Sequence, residues 1–417
     1  MTITPIPSST SQEHRFDEEL LIREARLRSR RRRLIIGASI LVVAAIVAAL
    51  VVGFGLGSTG PKKTGGNSFG ESSSARYSVT NVVNLAGADT FAASGPYVWI
   101  SVIGEPHGEQ KLPGVVELNT KTGGLVRVIK NHNRDLTEPG AVAIGRSDVW
   151  VADDQYGNVT ELNARTGALV RVIKGPTDDI TDPSAIGIED GHVWVASGEE
   201  GANTVTELNA ATGDLVRVIN APVDQLKSPD DIATGNGRVW VLNSNGDSIT
   251  ELNAATGGLI RVISAHAGCC AIRTGSFESA EPTLMTLSGA HLWVADVHNY
   301  ANGGTSVTSL VELNAMNGSL ERVIRGNAYK LSFPSGVVVV NGHVWVQSQP
   351  AVLTEIDAAT GRLMRVVSVR LAPHARNSPD GLTLSGSHLV VLNIYSDQKG
   401  SATVIDPSDG KIVGVIR

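Results

Sequence analysis

The chain of 417 residues carries 45 glycines, only six each of Trp, Tyr and Phe, and a formal net charge of −6, a composition of many short strands and turns. Its first 33 residues hold eight arginines against five acids, so a balance of −9 falls on the remainder. Such an acidic domain excludes nucleic acid and anionic lipid surfaces as its partners, because both need a basic patch. Cys269 and Cys270, adjacent and the only two cysteines, exclude a disulfide framework and a spaced set of zinc ligands.

Residues 1–33 form a basic segment ending in Arg30-Arg31-Arg32-Arg33. Within it EELLIREARLRSRRRR has the pattern of a short amphipathic helix, suited to lie on an anionic inner leaflet as a topology signal. The stretch 34–57, LIIGASILVVAAIVAALVVGFGLG, contains no charge. As a helix it spans about 36 Å, longer than the roughly 30 Å hydrocarbon core. Arginines crowd its N-terminal flank and only Lys62 and Lys63 follow closely. The positive-inside bias therefore places residues 1–33 in the cytoplasm and everything after residue 57 outside, a single-pass protein in the cell membrane. A cleaved signal peptide, of twin-arginine type on Ser29-Arg30-Arg31, is the rival reading, but the apolar run is long for one and no clear A-x-A site follows. Residues 58–76, rich in Gly and Ser, read as a flexible tether.

From residue 77 to 417 one phrase returns, VTELNAATGDLVRVI and its variants. Its glutamate recurs as Glu117, Glu161, Glu207, Glu251, Glu312 and Glu355, with Val404 in a degenerate seventh copy. A VWV phrase precedes each copy and holds Trp99, Trp150, Trp194, Trp240, Trp293 and Trp345, with Val390 in the seventh. The third copy, read in full, is AIGI, a DGH turn, VWVAS, a loop, TVTELNA, an ATGD turn and LVRVI. Four short strands in a period of about 44 to 61 residues make a propeller blade. The expected fold is all-β, a seven-bladed β-propeller of four-stranded blades, preceded by one transmembrane helix.

Each tryptophan is expected in the core against the adjoining blade. Glutamate and arginine ten residues apart, as in Glu207 and Arg217, are expected to face each other across the last hairpin, a pair worth about 0.2 to 1 kcal/mol. Residues 77–85 (YSVTNVVNL) are free to add a strand beside the last blade, whose own fourth strand is expected at residues 411–416.

The repeat resembles the YVTN-type propellers of bacterial surface and envelope proteins, and more loosely the NHL and quinoprotein-like propellers. The matching residues are VWVADDQYGNVTELNARTGALVRVI (149–173) and TVIDPSDGKIVGVI (403–416). The resemblance implies the fold; its members include adhesins, sensors, scaffolds and enzymes, so it does not choose an activity. Quinoprotein repeats usually carry an aromatic residue shortly after the Thr-Gly turn, where this chain has Val or Ile. No quinone cofactor is expected.

First-to-second and third-to-fourth turns are short and uniform, so variation gathers on the opposite face. There stand Asp153, Asp154, Asp247, Asp296, His298, Asn299 and His266, with insertions near 264–282 and 368–379. The expected role is a binding or scaffold module for a protein, peptide or envelope polymer. The alternative is a hydrolase or lyase at the channel mouth, using acids and a histidine with or without a divalent metal. No cofactor is expected, though oxygen-rich loops suit Ca²⁺. Cys269 and Cys270 are a vicinal disulfide stiffening the fourth insertion, an inert pair, or a redox or thiol-binding pair. His192, His291, His343 and His388 occupy one repeated turn and read as turn residues.

Overall fold

The computed structural model describes residues 85, 88–103, 113–130, 136–154, 156–174, 180–198, 202–220, 226–264, 277–300, 307–349, 351–369, 377–395 and 400–416. The basic segment, the apolar run 34–57, the linker, residues 77–84, His266, Cys269 and Cys270 lie outside them. Among the described residues no helix is long and apolar enough to cross a membrane.

Within the unit Ser73–Arg417, seven antiparallel sheets each consist of four strands consecutive in sequence. The blades run Ala88–Lys130, Pro139–Lys174, Pro183–Asn220, Pro229–Ser264, Phe277–Ile324, Pro334–Ser368 and Asn377–Ile416. First strands of successive blades pack side by side, and that of blade 7 returns to that of blade 1, closing a ring around the propeller axis. Blade 7 ends in its own fourth strand, Ile412–Ile416.

Burial explains the pattern of apolar residues. Second and third strands, such as His192–Ser197 and Thr204–Asn209, are buried at nearly every position because both faces meet a neighbouring blade. They therefore read as apolar runs with little alternation. Fourth strands form the rim, and their leading residues, such as Leu215 and Val216, stay exposed.

Each tryptophan packs forward onto the next blade. Trp150 sits with Ile186, Val193, Val195 and Leu208 of blade 3, and Trp345 with Leu382, Leu389, Val391 and Ile405 of blade 7. At the closing seam Val390 replaces tryptophan, and Phe91 of blade 1 packs against its cluster. A larger residue across the seam compensates the smaller one. Thr120 Oγ1 and Ser385 Oγ share a hydrogen bond of 2.9 Å across the same seam, and Ser385 Oγ donates to Gly95 O at 3.0 Å. Leu85 is wholly buried there, in the place that Leu136, Ile180 and Leu226 fill ahead of blades 2, 3 and 4. This second repeated signal, an aliphatic residue three positions before the first strand, escaped the sequence reading.

Candidate functional site

The third-to-fourth turns form the uniform face. Asn209 Oδ1 accepts from the backbone N–H groups of Ala211 (2.9 Å) and Thr212 (3.0 Å), closing the turn on itself. Gly213 then takes φ +78°, the left-handed region that glycine adopts without strain.

Just behind this turn lies the expected ion pair. Glu117, Glu161, Glu207, Glu251 and Glu312 meet Arg127, Arg171, Arg217, Arg261 and Arg322 at 2.5 to 2.7 Å, and Glu355 meets Arg365. The glutamates are buried and the arginines partly exposed. Burial pushes the carboxyls of Glu117, Glu161, Glu207 and Glu312 up, and the facing arginine pulls each back. Each arginine also reaches out of its own blade. Arg127, Arg171, Arg261 and Arg365 donate to Arg165, Ala211, Met316 and Ser408 carbonyls in the following blade at 2.9 to 3.1 Å. Blade 7 has Val404 and Gly414 in these places, and a cleft of about 230 Å³ lies there against Thr120, Lys121, Gly123 and His388.

The repeated histidines have a partner that the sequence reading did not assign. Nδ1 of His192, His291 and His343 lies 2.8, 2.8 and 3.1 Å from Oε1 of Glu207, Glu312 and Glu355, so the buried carboxylate is gripped from two strands. Arg238 does the same for Glu251. In blade 5 a second carboxylate joins: Glu321 Oε2 is 2.9 Å from His291 Nδ1, and Asn314 Nδ2 donates to Glu321 Oε1 at 2.8 Å. The Asn314 and His291 bonds hold the Glu321 carboxyl below its ordinary range. Its signal in the sequence was a broken repeat, since Val126, Val170, Val216, Ile260 and Met364 occupy that position elsewhere.

On the opposite, loop-bearing face the expected site residues fall on three blades. Asp153 of blade 2 is fully buried and accepts from Thr137 N (2.5 Å), Glu138 N (2.8 Å) and Tyr156 N (3.2 Å). Burial raises its carboxyl and the three backbone donors draw it back down. Its charge thus tethers the chain entering the first strand. Asn243 acts similarly in blade 4, accepting from Lys227 N and donating to Thr250 Oγ1. Asp154 N donates to Glu138 O, and its carboxylate lies against Gly140. Asp247 is left-handed at φ 45°, ending the short 3₁₀ turn Ser244–Gly246.

Asp296, His298 and Asn299 share one strand of blade 5. Asp296 is buried and paired with Pro282 and Ser309, His298 with Ala280 and Val307, and Asn299 with Ser279. Read as loop residues, they belong instead to an extended hairpin, Phe277–Ser288 and His291–Tyr300, of 12 and 10 residues. The same strands have six or seven residues in blades 1 to 4 and 6. Part of the insertion near 264–282 is therefore strand, and the ribbon rises from the loop-bearing face.

One further acid sits on the inner ring. Asp231 Oδ2 accepts from Met285 N of blade 5 and Oδ1 from Ile232 N, both at 2.8 Å. It keeps some accessible surface, but protein encloses it, and that burial pushes its carboxyl up to about 7.

No protein-family model and no curated protein matches the chain. Among solved structures, Kuenenia stuttgartiensis hydrazine synthase is similar with a TM-score of 0.58 at 15% identity, over 79% of this chain and 98% of that one. It is one of 1553 matching chains, so the likeness identifies an architecture, a seven-bladed propeller of four-stranded blades, and leaves activity open.

Proposed function

We propose that the chain is a membrane-tethered, extracytoplasmic propeller of the YVTN type that serves as a binding scaffold for a protein, peptide or envelope polymer. The apolar run 34–57 and its arginine flank support the tether and its direction. The observation that carries the binding role is the blade 5 ribbon, whose first and second strands of 12 and 10 residues exceed the nine and eight of blade 7 and the six or seven of the other blades, on the loop-bearing face. A rigid ring with one irregular face is the arrangement by which repeat scaffolds present recognition surfaces. His298 and Asn299 fall on the part of that ribbon that extends beyond the usual strand length.

Two measurements test this reading. A tag after Arg417 should be reached by antibody on intact cells, and a tag ahead of Met1 should not. Replacing the ribbon tip with the short connection of blade 3 should abolish capture of the envelope ligand while leaving thermal unfolding unchanged. Undiminished capture by that variant would remove the ribbon from the account.

A further inference from the structure

We propose that His291, Glu312 and Glu321 of blade 5 form a binding site for a borderline divalent metal ion such as Zn²⁺, Co²⁺ or Ni²⁺. The site lies on the uniform turn face, at the opposite end of the blade 5 hairpin from the loop-bearing face, and stands independently of the binding role proposed above.

The first argument is chemical. A ring nitrogen of His291 and one carboxylate oxygen each of Glu312 and Glu321 all lie within 4.8 Å of one another. One imidazole nitrogen with two carboxylate oxygens suits a borderline cation, whereas Ca²⁺ takes six to eight oxygens. Tetrahedral Zn²⁺ with bonds of about 2.0–2.1 Å sets its ligand atoms roughly 3.3 Å apart. The nitrogen stands 2.8 and 2.9 Å from the two oxygens, so opening by a few tenths of an ångström would admit the ion. Three protein ligands leave a fourth position for water, and the side chains of His291 (47% exposed) and Glu321 (28% exposed) are within reach of solvent.

The second argument is the support around the ligands. Arg322 Nε holds the far oxygen of Glu312 at 2.6 Å, and Asn314 Nδ2 holds the far oxygen of Glu321 at 2.8 Å. Each carboxylate is oriented by a partner that leaves its other oxygen directed at the histidine. Such outer partners hold ligands in place in established metal sites.

The third argument comes from the repeat, which supplies internal controls. Blades 3 and 6 keep the histidine and buried glutamate, as His192 with Glu207 and His343 with Glu355. At the position of Glu321 they have Val216 and Met364. The repeat needs only two of the three groups for its structure; blade 5 adds the third, which completes a ligand set.

Isothermal titration of the detergent-solubilised full chain with Zn²⁺, repeated with Co²⁺ while following its visible absorption, tests the proposal. One equivalent should bind, and Ca²⁺ should not compete. Glu321→Val restores the residue type of the other blades and should keep the fold while weakening Zn²⁺ at least tenfold. His291→Asn should do the same, and His343→Asn should leave binding unchanged. Absence of binding, or binding undiminished in both Glu321→Val and His291→Asn, would overturn the site.

Discussion

Arg171 Nη2 donates to the carbonyl of Ala211 across the boundary between blades 2 and 3, at 3.0 Å, while its Nε holds Glu161 at 2.6 Å within its own blade. The ten-residue spacing of Glu and Arg therefore does more than close a hairpin: it fastens each blade to the turn of the next. Removing the guanidinium leaves a buried carboxylate without its cation, the costly half of a buried pair. Arg171→Met should destabilise the propeller by about 1 to 3 kcal/mol, less than for a fully enclosed pair because the arginine is partly exposed. Glu161→Gln in the same chain should recover part of that loss. Denaturant midpoints of the two variants decide it, and equal midpoints for Arg171→Met and the parent would refute it.

Gly213 separates the two reasons for a glycine in the turn. A Cβ there would meet Arg171 Cδ at 2.7 Å, whereas one on Gly191, at φ +80° in a first-to-second turn, would meet nothing. Both alanine variants bear left-handed strain of about 1–2 kcal/mol. Only Gly213→Ala also displaces the neighbouring blade's arginine, so its unfolding midpoint should fall further than that of Gly191→Ala.

The seam between blades 7 and 1 lacks the fastening, since Val404 faces Gly414 where the other blades have Glu and Arg. The cleft of about 230 Å³ beside Lys121 and Gly123 is the space such an arginine would fill. Val404→Glu with Gly414→Arg should raise the melting temperature, with His388 placed to grip the new carboxylate as His192 grips Glu207. A lowered melting temperature would show that this seam is packed for its present residues.

Asp231 sets a pH dependence of stability. Its carboxyl is raised by burial from 3.8 to about 7, so between those values the native state holds a proton that the unfolded chain has released. Its contribution is fully present below about pH 4, is lost as pH rises toward 7, and is flat above. The slope is at most about 1.4 kcal/mol per pH unit. Raised carboxyls of Glu117, Glu161 and Glu207 act in the same direction. Asp231→Asn should therefore reduce the fall in stability between pH 4 and 7 without abolishing it, as denaturation at a series of pH values would show.

The ring was legible because its parts repeat. A Trp recurs in each of six blades, Glu, the turn glycine and Arg follow it at fixed spacing from one another, and a hairpin of fixed length dictates that Glu207 opposes Arg217. Where the arginine goes next was not legible, because the carbonyl of Ala255 or Ala211 is placed by packing between blades and not by local spacing. The loop face was read less well for a related reason. In sequence a buried, backbone-bound acid such as Asp153 looks the same as an exposed turn acid; only burial and its three N–H donors distinguish them. His298 and Asn299 fell on a strand because the blade 5 hairpin continues past the length that its siblings suggest. Glu321 was passed over as one residue in a familiar phrase, although its charge in an aliphatic position was the visible departure.

The proposed binding role is tested most directly by site-specific photocrosslinking of the full chain expressed in cells, with the photoreactive residue at Ser279 or Asn299 on the ribbon and, as control, at Thr212 or Thr256 on the turn face. Adducts with one envelope component from the ribbon positions and none from the turns are the result expected of a scaffold that recognises its ligand through blade 5. Adducts from the turn positions alone would contradict it and move recognition to the opposite face.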